Sequence, residues 1–362
     1  MNIDKQNNHL YSDLVALLLK NKNRVLATVT STKGSTPQIP GSSAIFSKKD
    51  LLIGTVGGGA TELAVTKIVA RLSHTKMSGY FSFDLNHEIA DNLGPICGGG
   101  MHILIDANPE IHLHVFEALT ASLKKRNPGV LATFYSQSGE KSVISRIWLT
   151  SENRLENSTG LPESIKPMIS EMQNNLVAGD FREFFLSKPG DSERKIAFLE
   201  TIVPPPLLII AGAGHVGKAV THIGNWLGFE VAVWDDRPEY ATAKNLPEAH
   251  HIFSGDIALM KEKMTTGKDT FVVIVTHGHK NDAEVLKEYI DEDVAYIGMM
   301  GSKRKIAQVR QLFFEKGWAT EEQWNRVHTP IGIEIDSKTV NEIAISIAAQ
   351  LIEVRNGKGK RD

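Results

Sequence analysis

Apolar positions along the chain alternate between short continuous runs and stretches with helical spacing, most clearly between residues 207 and 236. Residues 207–210 form a continuous apolar run, which is typical of a strand buried on both faces of a parallel sheet. Another apolar strand is predicted over residues 231–234. Between the two strands, apolar side chains recur at helical spacing, at Val216, Val220, Ile223 and Leu227. The pattern therefore predicts a β-α-β unit.

The turn between the first strand and the helix is Gly212-Ala213-Gly214-His215-Val216-Gly217, a G-x-G-x-x-G motif. The first glycine allows a tight turn, the second lets a pyrophosphate approach the backbone, and the third lets the helix pack on the strand. The helix N-terminus adds free N–H groups and the positive end of a dipole. Asp235 ends the second strand, where a carboxylate would take a ribose hydroxyl pair. The sequence therefore predicts a dinucleotide-type site at Gly212, Gly214, His215, Gly217 and Asp235; a Rossmann-like half kept only as scaffold stays the alternative.

Polar loops follow two further predicted strands, at residues 270–275 and 293–297. Ligands of open α/β sheets bind at such carboxyl ends of strands. The first loop carries His277, His279 and Asp282, whose spacing is only suggestive of a metal site; polar contact with a ligand or partner domain is favoured, and loop structure alone is the other reading. In the second loop Ser302 can cap a helix while Lys303, Arg304 and Lys305 face an anion, with a solvated surface as the equal alternative. Thr339 and Glu342 are spaced as a capping box at the start of the last predicted helix.

The N-terminal half contains two glycine loops. Strands are predicted at residues 24–30, 43–46, 51–56, 81–85 and 101–106, with a turn-rich loop over residues 31–37. Gly57-Gly58-Gly59 follows the third of these strands, and Thr61 is predicted to cap the next helix. Residues 94–100 form the second loop, around Cys97. Either these glycines make tight turns around a small buried cysteine, or both loops bring N–H groups and the Cys97 sulfur to one ligand.

These elements predict an α/β protein of two domains, since 362 residues exceed one ordinary core. We place an N-terminal α+β glycine-loop domain at residues 1–190 and a linker at residues 191–206, which ends in three prolines. A C-terminal Rossmann-like domain with a parallel sheet follows at residues 207–357.

Composition limits the function classes. A net charge of −2 and a pI near 6.7 argue against general nucleic-acid binding, which needs a basic face. The apolar stretch at residues 14–19 is too short to span a membrane, so no membrane association is expected. One cysteine excludes an intrachain disulfide and fits a reducing compartment, which predicts a cytoplasmic protein.

Taken together, the motifs resemble one family over nearly the whole chain: the XdhC/CoxI-like accessory proteins of xanthine dehydrogenase, related to those serving carbon monoxide dehydrogenase. In the N-terminal half the resemblance rests on residues 33–37, on Gly54-x-Val56-Gly57-Gly58 leading to Glu62, and on Ile96-Cys97-Gly98-Gly99. In the C-terminal half it rests on the Gly212 turn and on residues 234–238, 276–282, 296–302 and 330–332.

The resemblance implies a protein that binds the molybdenum cofactor, assists its sulfuration and delivers it to an apo xanthine dehydrogenase-type molybdoenzyme. Such a protein is a cofactor-insertion chaperone rather than an enzyme, and a cysteine desulfurase is a further expected partner. A dinucleotide, NAD(P), is a second expected ligand at the Rossmann site. The cofactor would contact the two glycine loops with Cys97 as the chemical centre, at Gly57, Gly58, Gly59, Glu62, Cys97, Gly98 and Gly99.

The chain departs from the family at one place, because Gly59-Ala60 stands where the family usually carries a second cysteine. A part in sulfur transfer is therefore in doubt, whereas cofactor binding survives. Two other functions stay open: an NAD(P)-dependent oxidoreductase, and a nucleotide-sensing scaffold protein. We also expect a homodimer, because Ile345 and Ile352 lie off the main apolar stripe of the last predicted helix.

Overall fold

The computed structural model of the protein describes residues 3–20, 23–84, 99–151 and 161–357. The chain divides into two compact units, Met1–Pro204 (unit 1) and Pro205–Asp362 (unit 2). Each unit has its own sheets and its own buried cores.

Unit 1 contains two antiparallel sheets and four helices among the residues that the structure describes. The first sheet has the order β3-β2-β1-β5-β4 and the second has the order β7-β6-β9-β8. The helices are α1 (Ile3–Lys20), α2 (Ala60–Thr75), α3 (Leu113–Lys124) and α4 (Lys166–Asn174). The strands are β1 (Val25–Gly34), β2 (Ser43–Phe46), β3 (Leu51–Gly54), β4 (Gly79–Asp84), β5 (Gly99–Asp106), β6 (Gly129–Ser138), β7 (Lys141–Thr150), β8 (Phe181–Phe185) and β9 (Glu193–Ile202).

The first sheet is covered on both faces. Ile103 of β5 packs in one core with Val65 and Val69 of α2. The next residue, Leu104, points to the opposite face and packs with Tyr135 and Phe198 of the second sheet. This alternation follows from the two-residue period of a strand.

Two predictions for unit 1 need correction, and the predicted linker contains a strand. Ser31–Gly34 continue β1 rather than forming a loop, because they pair with Gly99–His102 of β5. Helix α2 begins at Ala60 with Gly59 at the N-cap position, so Thr61 is not the cap. Residues 193–202 of the predicted linker form β9, whose backbone pairs on both sides with β6 and β8. Pairing with β5, which is distant in sequence, decided the extension of β1, whereas the start of α2 was decided locally at Gly59.

Unit 2 is built on six strands that are all parallel, in the order β12-β11-β10-β13-β14-β15. This confirms the predicted Rossmann-like sheet, because the order corresponds to 3-2-1-4-5-6 of the doubly wound fold. The strands are β10 (Leu207–Ala211), β11 (Glu230–Asp235), β12 (His251–Ser254), β13 (Thr270–Ile274), β14 (Tyr296–Met299) and β15 (Val327–His328). The helices are α5 (His215–Trp226), α6 (Ile257–Lys263), α7 (His279–Tyr289), α8 (Lys303–Glu315), α9 (Glu321–Asn325) and α10 (Val340–Arg355).

The continuous apolar run at β10 reflects burial on both faces. Leu207 and Ile209 belong to the core that contains α6, α7 and α8, whereas Leu208 and Ile210 belong to the core that contains α5 and α10. Helix α10 packs directly on α5, and Arg355 Nη1 donates to the carbonyl of Leu227 at 3.0 Å. The first crossover helix is thus held by the last helix of the unit.

The predicted helix caps of unit 2 are confirmed. The Ser302 side chain accepts a hydrogen bond from the Lys305 backbone N–H at the start of α8. Thr339 and Glu342 form a reciprocal capping box at the start of α10. Among the helices described, none is both long and apolar enough to cross a membrane.

Candidate functional site

One end of the first sheet of unit 1 gathers the glycine motifs. Because β1 is antiparallel to β2 and β5, β3 to β2, and β4 to β5, this end holds the ends of β1, β3 and β4 and the starts of β2 and β5. Gly34 lies opposite Gly99, and Gly54 lies opposite Ala44. The sheet therefore brings the loop after β3 and the start of β5 to the same end as the motif at residues 33–37.

The loop after β3 is held by side chains on both of its sides. The Thr55 hydroxyl lies 2.5 Å from Glu62 Oε1 and accepts a hydrogen bond from the Gly57 N–H at 3.2 Å. Glu62 belongs to the first turn of α2. A carboxylate there also interacts favourably with the positive end of the helix dipole. Glu62 thus fixes the loop onto the helix that follows it.

The glycines at this end differ in what requires them. A Cβ atom on Gly57 would approach the Thr61 Cβ to 2.8 Å, and one on Gly99 would approach the Lys33 and Ser35 carbonyl oxygens to 2.5 Å. Gly59 has a φ of 49°, which favours glycine. A Cβ on Gly58 would meet no atom within 4 Å, and its φ lies outside the left-handed region. Neither packing nor backbone conformation explains the glycine at position 58, and the space in front of it is open to a ligand.

A cavity of about 540 Å³ opens at the same end of the sheet. His102 contributes its imidazole, whose Nδ1 lies 2.8 Å from the Ser31 hydroxyl and whose ring is 5.1 Å from that of Tyr80. Sequence reasoning missed His102, because only the pairing of β1 with β5 brings it to Ser31. The described lining consists of Ser31, Thr32, Lys33, Gly34, Ser82, Phe83, Asp84, Gly99, Gly100, Met101 and His102. Cys97 and Gly98 lie outside the described residues, so their predicted roles stay predictions.

The glycine turn of unit 2 follows β10. Gly212 has a φ of 117°, and a Cβ there would approach the Val275 carbonyl oxygen to 2.5 Å. A Cβ on Gly217 would collide with the Gly212 carbonyl oxygen. Gly214 adopts a φ of −72°, which any residue can adopt, and a Cβ on it would meet nothing within 4 Å. The protein itself therefore requires the first and third glycines but not the second, which borders open space at the N-terminus of α5.

Asp235 is buried beneath this turn rather than open to it. Its Oδ2 accepts from the Ala213 N–H at 2.7 Å, and its Oδ1 accepts from the Arg237 N–H at 3.0 Å. The Arg237 side chain adds a fork, with Nε 2.8 Å from Oδ1 and Nη2 3.0 Å from Oδ2. Burial alone would raise the pKa of Asp235, but the hydrogen bonds from Arg237 and Ala213 hold it below its ordinary value. The structure thus makes Asp235 a support of the glycine turn and of Arg237.

Beside Asp235 lie Arg237, Asp236 and Tyr240, which were not singled out from the sequence, and His277, which was. The Arg237 guanidinium stacks over the Tyr240 ring, 3.8 Å from its centroid. The Asp236 side chain is 37% exposed, and its Oδ1 lies 3.9 Å from Arg237 Nε. His277, from the loop after β13, is half exposed and places Nδ1 3.8 Å from the same oxygen. Two adjacent acids at a strand end were the available signal, but the sequence alone does not tell which one is buried.

Asp282 is fully buried and tied into the protein. Its Oδ1 accepts from the Thr276 hydroxyl at 2.5 Å, and its Oδ2 is in contact with the Lys305 ammonium. The contact between Asp282 and Lys305 joins the starts of α7 and α8. Asp282 therefore has a structural role, which distinguishes it from His277. No cluster of three metal-ligating side chains occurs among the residues described. His279 begins α7, and His215 is the exposed first residue of α5.

The two halves of the chain match two models of one family. Residues 17–84 match the XdhC and CoxI family, and residues 208–351 match the XdhC Rossmann domain. Together these matches span more than half of the chain. The protein belongs to the XdhC family. The matched regions of this XdhC-family protein contain the loop from Gly57 to Gly59 with Glu62 and the whole unit 2 site from Gly212 to Ser302.

Known relatives of this XdhC-family protein carry related names. It is 25% identical over 352 residues to a protein of Bacillus subtilis (strain 168) named as a probable xanthine dehydrogenase subunit, covering 96% of this chain and 98% of that protein. It is 34% identical over 152 residues to the protein YqeB of Escherichia coli (strain K12), covering 42% of this chain and 28% of that protein. A crystal structure described as a xanthine dehydrogenase from Bacillus halodurans has the same fold, with a TM-score of 0.72, 24% identity and 97% coverage of both chains.

Proposed function

We propose that this XdhC-family protein binds the molybdenum cofactor in unit 1, assists its sulfuration and delivers it to a xanthine dehydrogenase-type enzyme. One observation carries the proposal: the described parts of the family's N-terminal motifs lie toward one end of the first sheet, and the loop after β3 at that end carries Gly58, a glycine that packing does not require. The names of the relatives support the choice of acceptor enzyme.

The chemistry of this sheet end suits a phosphate-bearing pterin as cargo. Gly58 allows close approach to the backbone, and the N-terminus of α2 follows immediately. Lys33 and His102 line the neighbouring cavity and can contribute positive charge or hydrogen bonds. These groups would hold a cargo reversibly, which is what a carrier requires.

The experiment expresses the full chain in molybdate-fed cells and measures bound pterin by fluorescence after oxidation and molybdenum by mass spectrometry. Gly58→Val should fold normally yet retain at least about tenfold less of both, because its side chain fills the open space. Gly267→Val is the matched control, since a Cβ there meets only the Asp269 Oδ1, at 3.7 Å. Equal cofactor content in the Gly58 variant and the wild type would refute the proposed site.

Sulfuration and delivery are proposed to depend on Cys97. A cysteine thiolate is a soft ligand that suits a sulfur-rich metal centre, and Cys97 is the one cysteine of the sequence. Cys97→Ala should abolish activation of an apo-dehydrogenase by the purified protein and leave its melting temperature nearly unchanged. Activation at the wild-type rate would remove Cys97 from the mechanism, without affecting the Gly58 result.

We further propose that unit 2 binds a phosphate-bearing nucleotide at its glycine turn. The supporting observation is Gly214, which borders open space at a helix N-terminus while Gly212 and Gly217 are required by packing. Gly214→Val should abolish calorimetric binding of NAD and ADP-ribose, whereas Gly267→Val, at the other end of the same sheet, should retain it. Nucleotide binding unchanged by Gly214→Val would place the ligand elsewhere. Steady oxidation of NAD(P)H with a small carbonyl substrate would favour the oxidoreductase function instead.

A homodimer is proposed from the last helix. Ile345 of α10 is 54% exposed although α10 packs with α5 on its other side. An exposed isoleucine on a packed helix suits an interface between two copies of the chain. Light scattering at about 10 to 50 µM, the range for moderate affinities, should give twice the chain mass, and a monomer mass would refute the dimer.

A further inference from the structure

Two side chains from different strands of unit 2 meet over the end of β10. The strand order places β10 between β11 and β13, so the ends of the outer two are about 10 Å apart. Asp236 follows β11 and His277 follows β13, yet Asp236 Oδ1 lies only 3.8 Å from His277 Nδ1. Both side chains therefore lean toward the end of β10, where the turn of Gly212 and Gly214 begins. A ligand on that turn would lie on the same side of the sheet as these two side chains.

Asp236 can accept further hydrogen bonds, whereas the acceptor capacity of Asp235 is already used. Both oxygens of Asp235 already accept two protein donors each. The described basic side chains nearest Asp236 are Arg237, with Nε at 3.9 Å, and His277, with Nδ1 at 3.8 Å, both beyond hydrogen-bonding distance. The acceptor capacity of Asp236 is thus left for a ligand.

The negative charge at the end of β11 favours a ribose that carries no phosphate group. Asp235 and Asp236 bring two carboxylates, and Arg237 is the one guanidinium that contacts them among the residues described. The planar fork of Arg237 is already engaged by Asp235, so the carboxylate of Asp236 is not neutralised by a close pair. A phosphate on the ribose would face this negative charge, whereas hydroxyl groups would donate to it.

We infer that Asp236 is the carboxylate that contacts the ribose, and that unit 2 takes an adenosine diphosphate ligand with a free 2′-hydroxyl, of the NAD or ADP-ribose class, over its 2′-phosphorylated counterpart. This inference rests on the proposed nucleotide site of unit 2. In it, Asp235 is a positioning residue that acts through Ala213 and Arg237, and Asp236 determines specificity.

The test measures affinities of the full chain for NAD, ADP-ribose and NADP by calorimetry. The wild type should bind NAD at least about tenfold more tightly than NADP, and Asp236→Asn should lose about tenfold in NAD affinity and most of this preference, as expected for a hydrogen bond to a charged group. The melting temperature should be unchanged by Asp236→Asn and lowered by Asp235→Asn, because only Asp235 holds protein donors.

The outcomes separate the inference from the proposed site. Tighter binding of NADP than of NAD, or NAD affinity that is unaffected by Asp236→Asn, overturns the inference while the site stands. If none of the three ligands binds the wild type, the nucleotide site itself is wrong and the inference falls with it.

Discussion

The two glycine loops of the protein look alike in sequence and differ in how they are held. In unit 1 the loop from Gly57 to Gly59 is fixed by hydrogen bonds from Thr55 that reach Glu62 of the following helix. In unit 2 the turn from Gly212 to Gly217 is fixed by backbone packing against Val275, with Asp235 holding Ala213 from below. The first loop depends on a part-buried polar contact, and the second combines close backbone packing with a buried hydrogen bond.

What the loops share is a single glycine that the protein does not need for itself. Gly58 and Gly214 both lack neighbours within 4 Å of a Cβ atom and both adopt backbone conformations open to other residues. The other glycines of each loop have a steric or conformational reason. A glycine without such a reason, at the start of a helix, points to the position of a ligand.

The largest effect on stability is expected in unit 2, from the comparison of a glycine that packing requires with one that it does not require. Gly217→Ala should lower the free energy of unfolding by about 3 kcal/mol or more, because its Cβ collides with the Gly212 carbonyl oxygen. Gly214→Ala should cost nothing and should stabilise the fold by about 0.5 kcal/mol, through the unfolded chain. Urea denaturation measures both values. Similar losses in the two variants would end the distinction between them.

The interior of unit 1 contains a buried carboxyl group, that of Glu200. Burial raises the pKa of Glu200 in unit 1 to about 7, although the hydrogen bond from Tyr11, at 2.6 Å, and the charge of Arg146 act to lower it. The native state therefore holds a proton that the unfolded chain releases near pH 4.5, and stability is lost as pH rises through that interval. The full loss amounts to about 3 kcal/mol.

Glu200→Gln isolates this contribution, because the amide imitates the protonated carboxyl. Between pH 5 and pH 7 the wild type should lose up to about 2–3 kcal/mol of unfolding free energy relative to the variant. His112, whose pKa burial and Arg146 lower to about 4, acts in the opposite direction but is present in both proteins. A pH-independent difference would show that Glu200 is ionised throughout.

The smallest effect tests how the loop of unit 1 is held. Glu62→Gln should lower the free energy of unfolding by about 1 kcal/mol, since it removes a charged acceptor for Thr55 and a favourable charge at the start of α2. Leu63→Gln is the control, because Leu63 is 58% exposed on the same helix turn. An equal loss in both variants would mean that the Thr55 contact contributes nothing.

Local patterns predicted unit 2 well, because each of its signals lies close together in the sequence. The strand, the glycine turn and the α5 stripe occur within thirty residues, and the caps at Ser302 and Thr339 are read from single positions. Local patterns did not predict the short strands β12 and β15, and they placed β14 at residues 293–297 instead of Tyr296–Met299. They also did not tell which of two adjacent acids is buried, because that depends on the fork of Arg237, which has no sequence signature.

Unit 1 was harder to predict, because its sheets pair residues that are far apart in sequence. Ser31–Gly34 extend β1 only because the start of β5 lies beside them, and turn-forming residue types concealed this. Strand β8 was missed, since its half-buried residues alternate weakly. The convergence of Gly58 and Gly99 on one sheet end, which defines the candidate site, follows from the same long-range pairing.

The packing of α10 on α5 bears on the order in which the protein matures. Arg355 and the carbonyl that it caps are 128 residues apart, so a ribosome needs about ten seconds between the two. Ribosome-bound chains that end before Val340 should therefore show α5 sensitive to protease. Unit 1 is complete in the chain by then. During synthesis the proposed pterin site can therefore form before the proposed nucleotide site does.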